Sequence, residues 1–143
     1  MPADLPGDWH VDIYLDGQKL LTEHFTLEAN TIQPNPDDAD AWNGKGIALA
    51  DMGKYDEAIL AFNESIRLDP NDADAWYYKG KALGILGKYD EAIQAFDKAI
   101  DVNPQDADAW YYKGVALDNQ GKSDEAIHAY DKAVEIDAQD ADA

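Results

Sequence analysis

The sequence predicts a mostly α-helical chain, an α-solenoid of antiparallel helix pairs preceded by a short β-hairpin. A phrase of 34 residues is written three times between positions 37 and 138. A period of this length is typical of helix pairs that bury their apolar sides only by stacking on one another. Ahead of the repeats, apolar and polar residues alternate with a period of two, which is typical of half-buried strands. We therefore expect an elongated array and not a globule.

The alternating segment comes first along the chain. Apolar residues occupy every second position from Trp9 to Leu15, and Asp16 and Gly17 then favour a tight turn. Residues 19–27 return as a second strand, and the pair is similar to the last two strands of an immunoglobulin-like β-sandwich. Because an isolated hairpin is marginal in water, it needs a surface to lie on. The first repeat, another copy of the chain and a β-domain outside this sequence are the alternatives, and we favour the first two.

Each repeat predicts two helices, and the middle copy shows the pattern. Trp76, Gly80 and Leu83 recur at spacings of four and three, which places them on one side of a first helix over residues 73–86. The aspartates that open the copy, Asp72 and Asp74, lie where a carboxylate caps free backbone N–H groups. Gly87 favours a left-handed helix end. A second apolar stripe then follows, made of Ala92, Ile93, Phe96, Ala99 and Ile100 and ended by Pro104.

The helices of a pair are expected to approach closely where small residues face each other. We predict that Gly80 packs against Ala92, with Trp76, Leu83 and Phe96 filling the space around that contact. The last helix, residues 124–137, lacks the proline that ends the others because Ala138 stands in its place. It is therefore expected to fray later or to run on.

These residues resemble the tetratricopeptide repeat family, whose pattern is a Trp, a Gly four residues on, a large apolar residue, Ala, an aromatic residue, Ala and Pro. The first copy departs from it at Ser65, the third at Ala138, and a lysine stands in each copy where the family often has Leu. The matching residues are Trp42, Gly46, Leu49, Ala58, Phe62 and Pro70; Trp76, Gly80, Leu83, Ala92, Phe96, Ala99 and Pro104; and Trp110, Gly114, Leu117, Ala126, Tyr130 and Ala133.

The sequence therefore divides into four parts. The last part contains only the start of a fourth repeat, which leaves open whether the sequence is an excerpt of a longer protein. The parts are a β-hairpin segment over residues 1–29, a linker with two prolines over 30–36, three repeats over 37–70, 71–104 and 105–138, and a truncated repeat start over 139–143.

The amino-acid composition limits the kinds of partner that the chain can bind. With 30 acidic against 11 basic residues the formal charge is −19, which repels nucleic acid and anionic lipid and favours a cationic or apolar protein or peptide. There is no cysteine and no apolar run of the roughly 18 residues that a membrane span needs. We expect a cytoplasmic protein without a cofactor.

The resemblance implies a concave groove lined by the first helices, in which a peptide or a partner helix binds. Four tyrosines beside aspartates suit an apolar or basic segment, although each tyrosine could instead pack between repeats. The expected lining is Asp40, Asn43, Gly44, Ile47 and Asp51 from the first copy, Asp74, Tyr77, Tyr78, Lys81 and Ile85 from the second, and Asp108, Tyr111, Tyr112, Val115 and Asn119 from the third.

One family subclass is disfavoured. Members that clamp the terminal carboxylate of a chaperone peptide need Lys, Arg and Asn around the groove to neutralise that charge. The corresponding places here hold Asn43, Ile47, Tyr78, Asp108 and Tyr112.

The competing prediction is an enzyme, but the sequence has few residues suited to catalysis. His10, His24 and His128 do not stand at metal-ligand spacing, although a pair of His10 and His24 across the hairpin is a candidate for a metal. We predict no catalytic residue and no metal site, and therefore a non-catalytic interaction scaffold.

The alternative function is self-assembly. The final helix has no following helix to cover Ile127, Tyr130 and Val134, and the first repeat has the matching problem at its other side. Solenoids usually protect such ends, so stacking of chains through the ends or the hairpin would form a homo-oligomer.

Overall fold

A computed structural model describes residues 8–15, 18–26 and 37–141 of the chain. The chain divides into two compact units, residues 1–33 and residues 34–143. Two strands lie in the first unit and six helices in the described part of the second. They are β1 Asp8–Leu15, β2 Gln18–Thr26, α1 Ala39–Asp51, α2 Tyr55–Leu68, α3 Ala73–Ile85, α4 Tyr89–Val102, α5 Ala107–Asn119 and α6 Ser123–Ala141.

The first unit contains the predicted pair of antiparallel strands. The register places Trp9 opposite Phe25 and Ile13 opposite Leu21, and it shifts between Ile13 and Tyr14. The predicted turn at Asp16 and Gly17, and the predicted linker over residues 30–36, lie outside the described residues.

The second unit contains three helix pairs, and aspartates start the first helix of each pair as predicted. The side chains of Asp38, Asp72 and Asp106 accept hydrogen bonds from the backbone N–H three residues on, at 3.2, 3.3 and 3.1 Å. The aspartate two residues further along lies in the first helical turn in each case, where its charge opposes the positive end of the helix dipole. The repeats' opening phrase therefore serves first as a capping signal.

Glycine ends the first helices, also as predicted. Gly53, Gly87 and Gly121 each have φ of 78°, a left-handed conformation that costs a residue with a Cβ atom energy. The chain reverses at each of these glycines, so the two helices of a pair run antiparallel.

The close contact within a pair centres on a glycine of the first helix. A Cβ atom added to Gly80 would lie 2.7 Å from Cε1 of Phe96, so the ring of Phe96 is the nearest group that Gly80 accommodates. Gly46 and Gly114 face Phe62 and Tyr130 in the same way. Ala92 is fully buried in the same cluster as Leu83 and Phe96, and its direct contact with Gly80 stays a prediction.

The departures from the family pattern have physical explanations. Ser65 is fully buried and its hydroxyl donates to the carbonyl oxygen of Ala39 at 2.8 Å, so the buried polar group is satisfied. The lysines at the Leu position each hold Nζ 5.2 Å from the ring centroid of the tryptophan three residues earlier, a cation–π contact. With Ala138 in place of proline, α6 runs on to residue 141 and has 19 residues, against 14 in α2 and in α4. The repeat bounds drawn from the sequence stay a prediction.

The core is a ribbon that continues from pair to pair. Leu83, Ala92 and Phe96 of the second pair form one buried cluster with Ala116 of the next pair. Helix α3 contacts both α1 and α5, whereas α2, α4 and α6 do not contact one another within the described residues. The first helices therefore line the inner side of the curved array.

Candidate functional site

The inner side of α1, α3 and α5 carries rows of equivalent positions, with one residue from each helix. One row is acidic throughout and the others change in character along the array. The rows are Asp40, Asp74 and Asp108; Asn43, Tyr77 and Tyr111; Ile47, Lys81 and Val115; Ala50, Gly84 and Asp118; and Asp51, Ile85 and Asn119.

The acidic row, defined as Asp40, Asp74 and Asp108, is exposed in all three of its members. Each carboxylate belongs to the first turn of its helix. Three negative charges along one edge of the inner face create a potential that attracts cationic groups.

Two of the predicted tyrosines stack on an aromatic ring of the preceding repeat. Tyr78 stacks on Phe62 with ring centroids 6.1 Å apart, and Tyr112 stacks on Phe96 at 6.3 Å. Both are half-buried. Their rings therefore contribute first to the junction between successive pairs.

The other two tyrosines occupy one row but differ in exposure. Tyr77 is half-buried and lies 5.8 Å from Tyr112. Burial first, and then the charge of Asp108, raises the pKa of Tyr77 well above its usual value. Tyr111 has no following pair in the described structure to cover it and is 49% exposed, with its ring 5.6 Å from Tyr130. Tyr111 is the tyrosine of the four with the most open ring.

Lys81 lies on top of this aromatic surface. Its Nζ is 4.9 Å from the ring centroid of Tyr112, 5.4 Å from that of Tyr77 and 6.0 Å from that of Tyr78. Because cations are attracted to the faces of aromatic rings, the ammonium group has a fixed place in the middle of the inner face.

A pocket of about 290 Å³ opens beside Lys81, between α3 and α5. A methyl group added to Gly84 would contact nothing within 4 Å, so the absent side chain leaves the space open. Ile85 at the mouth is 60% exposed. The sequence did not predict the lining by Tyr89 and Phe96, since both belong to the second helix. The lining residues are Gly80, Lys81, Gly84, Ile85, Tyr89, Phe96, Tyr112, Val115, Ala116 and Asn119.

The α1 part of the predicted groove is partly structural. Ile47 is half-buried and packs against the cluster of Leu49 and Phe62. Asn43 is also half-buried, and its Oδ1 atom is enclosed without a hydrogen-bond partner. The pocket is formed by α3 and α5 together with Tyr89 and Phe96 of α4 and does not include Asn43 or Ile47.

The histidines give no catalytic or metal arrangement in the described structure. His128 is exposed and lies 6.5 Å from the ring of Trp110, while the strand register pairs His10 with His24. Within residues 8–15, 18–26 and 37–141, no group of three or more His, Asp or Glu side chains could hold a metal ion. No helix in these ranges has the length and apolarity that crossing a membrane requires.

The end of the array formed by α5 and α6 has a second exposed apolar surface. Tyr111, Ile127 and Val134 are exposed, although their equivalents one repeat earlier are at least half-buried. A depression of about 540 Å³ lies between α5 and α6 at this end. We call the surface formed by Tyr111, Ile127 and Val134 the end face.

Comparison with protein families gives matches over residues 24–73, 45–101 and 77–141 to the tetratricopeptide repeat model. The chain belongs to the tetratricopeptide repeat family. Membership of this family supports a protein-interaction scaffold. A comparison with curated protein sequences found no significant match.

Solved structures of tetratricopeptide repeats resemble the chain. A crystal structure of MamA is 30% identical, with a TM-score of 0.74 over 76% of this chain and 64% of that one. MamA 41-end from Desulfovibrio magneticus RS-1 is 33% identical, with a TM-score of 0.67 over 71% of this chain and 58% of that one. The chain thus spans less than two thirds of these MamA chains.

A third similar structure contains a bound peptide. The first tetratricopeptide repeat domain of Spaghetti (RPAP3), bound to the HSP90 peptide SRMEEVD, is 26% identical, with a TM-score of 0.68 over 73% of this chain and 83% of that one.

Proposed function

We propose that the array binds a peptide or a helix of a protein partner in the groove lined by α1, α3 and α5. The observation that carries the proposal is the apolar pocket between α3 and α5, which opens on the same face as the acidic row. A groove that is already formed by stacked helices spares the partner part of the ordering cost of binding. The repeats also place several contacts at fixed intervals.

The partner's chemistry follows from the charges on this face. The acidic row and Asp118 favour lysine or arginine side chains, and the net charge of −19 attracts a basic partner from a distance. The peptide of the RPAP3 structure, SRMEEVD, has three acidic residues against one arginine. The places that would hold a terminal carboxylate here are Asn43, Ile47, Tyr78, Asp108 and Tyr112, without a lysine or arginine among them. This groove is therefore selective against acidic peptides.

The test is a selection of random nonapeptides displayed on phage against the full chain, followed by anisotropy titration of the selected peptides. We expect peptides rich in Lys and Arg, with affinity that falls as salt is added. The triple variant of the acidic row, Asp40→Asn, Asp74→Asn and Asp108→Asn, should weaken their binding at least tenfold. The peptide SRMEEVD should not bind.

A control variant removes the same charge from the other side. Glu57, Glu91 and Glu125 lie in the first turns of the second helices and are exposed. Changing all three to Gln alters the net charge equally and should leave binding within about twofold. If both triple variants weaken binding alike, the groove is not the binding site; binding of SRMEEVD with Kd below about 10 μM would overturn the stated selectivity.

Self-association through the end face is the second candidate, and the exposure of Ile127 and Val134 favours it. Burying these side chains against another chain would remove apolar surface from water. Light scattering across concentration tests it with the pair Ile127→Gln and Val134→Gln against the control Leu60→Gln, which changes an equally exposed residue of α2 away from this end. A mass that rises with concentration in the chain and in the control, but not in the pair, supports assembly. A monomer at all concentrations contradicts it.

A further inference from the structure

The pocket between α3 and α5 has no equivalent lining at the preceding junction. The position of Gly84 is Ala50 in α1, and that of Ile85 is Asp51. Across the junction, the position of Val115 is Lys81 in α3, whose ammonium group lies on the tyrosine rings. The second junction therefore has Gly84 and Ile85 where the first has Ala50 and Asp51, while the Lys81 ammonium group lies over Tyr112 beside the second pocket. If the groove has one anchoring position, it is the second junction.

The size of the pocket fits one side chain. Its volume of about 290 Å³ lies just below the roughly 300 to 1,000 Å³ typical of pockets for whole small ligands. Phe96 in the lining is almost fully buried, whereas Ile85 is exposed. An aliphatic side chain that enters would cover the exposed apolar surface of Ile85.

The surroundings of the pocket constrain the rest of the ligand. The Nζ atom of Lys81, fixed over Tyr112 at 4.9 Å, is a donor for a backbone carbonyl oxygen at the pocket edge. Asn119 donates its side-chain amide to the carbonyl oxygen of Val115 at 2.8 Å, which leaves its own oxygen atom as an acceptor for a backbone N–H. One donor and one acceptor at opposite edges suit an extended peptide backbone that crosses the pocket.

We propose that this pocket is the anchoring subsite of the groove and takes one large aliphatic side chain, Leu, Ile or Met, from an extended peptide whose neighbouring residues are Lys or Arg. This inference rests on the proposed function. The aliphatic residue supplies the desolvated contact, and the flanking cations meet the acidic row and Asp118. A carboxylate side chain would lose its hydration in this mostly apolar pocket, and the one cation of the lining, Lys81, already lies over the tyrosine rings.

Filling the pocket from the protein side tests the subsite. The change Gly84→Leu places a side chain in the pocket, and since nothing lies within 4 Å of a Cβ atom there, the helix should form normally. A melting temperature at or above that of the unchanged chain is expected, because Leu favours a helix more than Gly does. The matched control is Ala50→Leu, which adds bulk at the equivalent position of the first junction.

The probes are the nonapeptides selected on the full chain and their versions with the aliphatic residue changed to Gly. We expect Gly84→Leu to weaken binding at least tenfold and Ala50→Leu to change it less than twofold. In the Gly84→Leu chain, the aliphatic and glycine versions of a peptide should bind equally.

The outcomes separate this inference from the function on which it rests. Equal binding by Gly84→Leu and the unchanged chain, with loss in the acidic-row variant, would overturn the subsite and leave the groove in place. Loss in both Leu variants alike would also overturn it, since the second junction would then not be special. Binding that survives Gly84→Leu and the acidic-row variant alike would overturn the groove as well.

Discussion

Helices α4 and α6 have nearly the same apolar stripe but opposite surroundings. Ile100 of α4 is 9% exposed because Ala109 of α5 packs against it, whereas Val134 at the same position of α6 is 67% exposed. Ile93 and Ile127 differ in the same direction. In a solenoid, therefore, the burial of a side chain depends more on the next helix pair than on the helix that carries the side chain. Amphipathic spacing alone does not reveal which stripes are core and which are surface.

The largest difference between the two helices is expected at their central aromatic residue. Phe96→Ala should lower the free energy of unfolding by about 3 to 5 kcal/mol, because it empties the space below Gly80 and Tyr112. Tyr130→Ala, at the same position of α6, should cost clearly less since its ring is only half-buried. Urea unfolding followed by circular dichroism measures both. Equal losses would show that α6 is as well covered as α4.

The next largest difference in stability between α4 and α6 is expected at the aliphatic position that Ile100 and Val134 share. Ile100→Ala should cost about 2 to 5 kcal/mol through the cavity it leaves, and Val134→Ala should stay within about 0.5 kcal/mol as an exposed substitution. The same unfolding experiment applies. A loss above 1 kcal/mol for Val134→Ala, rising with protein concentration, would indicate that the end face is covered by another chain in solution.

A methyl group added to the glycine of each pair should give a smaller difference in stability between the second and third helix pairs. A Cβ atom at Gly80 or at Gly114 would lie 2.7 Å from the facing ring, so each change to Ala requires the ring to move. Gly80→Ala should cost about 1 to 3 kcal/mol because Phe96 is enclosed. Gly114→Ala should cost less because Tyr130 can swing towards the open end. A thermal melt with no loss for Gly80→Ala would contradict the packing described here.

The smallest effect concerns alkaline pH. Burial raises the pKa of Tyr77 in the folded chain, so the unfolded chain loses this proton first. The contribution of Tyr77 to stability is therefore complete below about pH 10, the usual tyrosine pKa, and falls as the pH rises through the raised value. Replacing Tyr77 by Phe should make the loss of stability above about pH 10 less steep. Unchanged steepness would argue against a buried hydroxyl.

Much of this fold was predictable because its signals are local. The aspartate caps, the glycines with positive φ and the 34-residue period each depend on residues close in sequence. The Phe96 ring as the group nearest to Gly80 was not predictable in this way, because it depends on the rotation of one helix against the other. The buried Ser65 shows the same limit, since its hydrogen-bond partner Ala39 is 26 residues away.

The groove stays a prediction, but part of its expected lining lies around one pocket. The groove residues follow from the repeat register, and Lys81, Ile85, Tyr112, Val115 and Asn119 do line the pocket. The sequence left open for each of the four tyrosines whether it packs between repeats, and the structure shows Tyr78 and Tyr112 half-buried by stacking on Phe62 and Phe96. Such contacts cross from one repeat to the next, where spacing within a repeat carries no information.

The long helix α6 shows that the same tripeptide, Gln-Asp-Ala, takes two conformations in this chain. Gln105, Asp106 and Ala107 form a turn, a cap and a helix start, whereas Gln139, Asp140 and Ala141 are all helical. The tripeptide is the same, but the residues before it differ, Asn103 and Pro104 in one case and Asp137 and Ala138 in the other. Because proline cannot continue a helix and alanine can, the residues ahead of the tripeptide decide whether it begins a new helix or prolongs the old one.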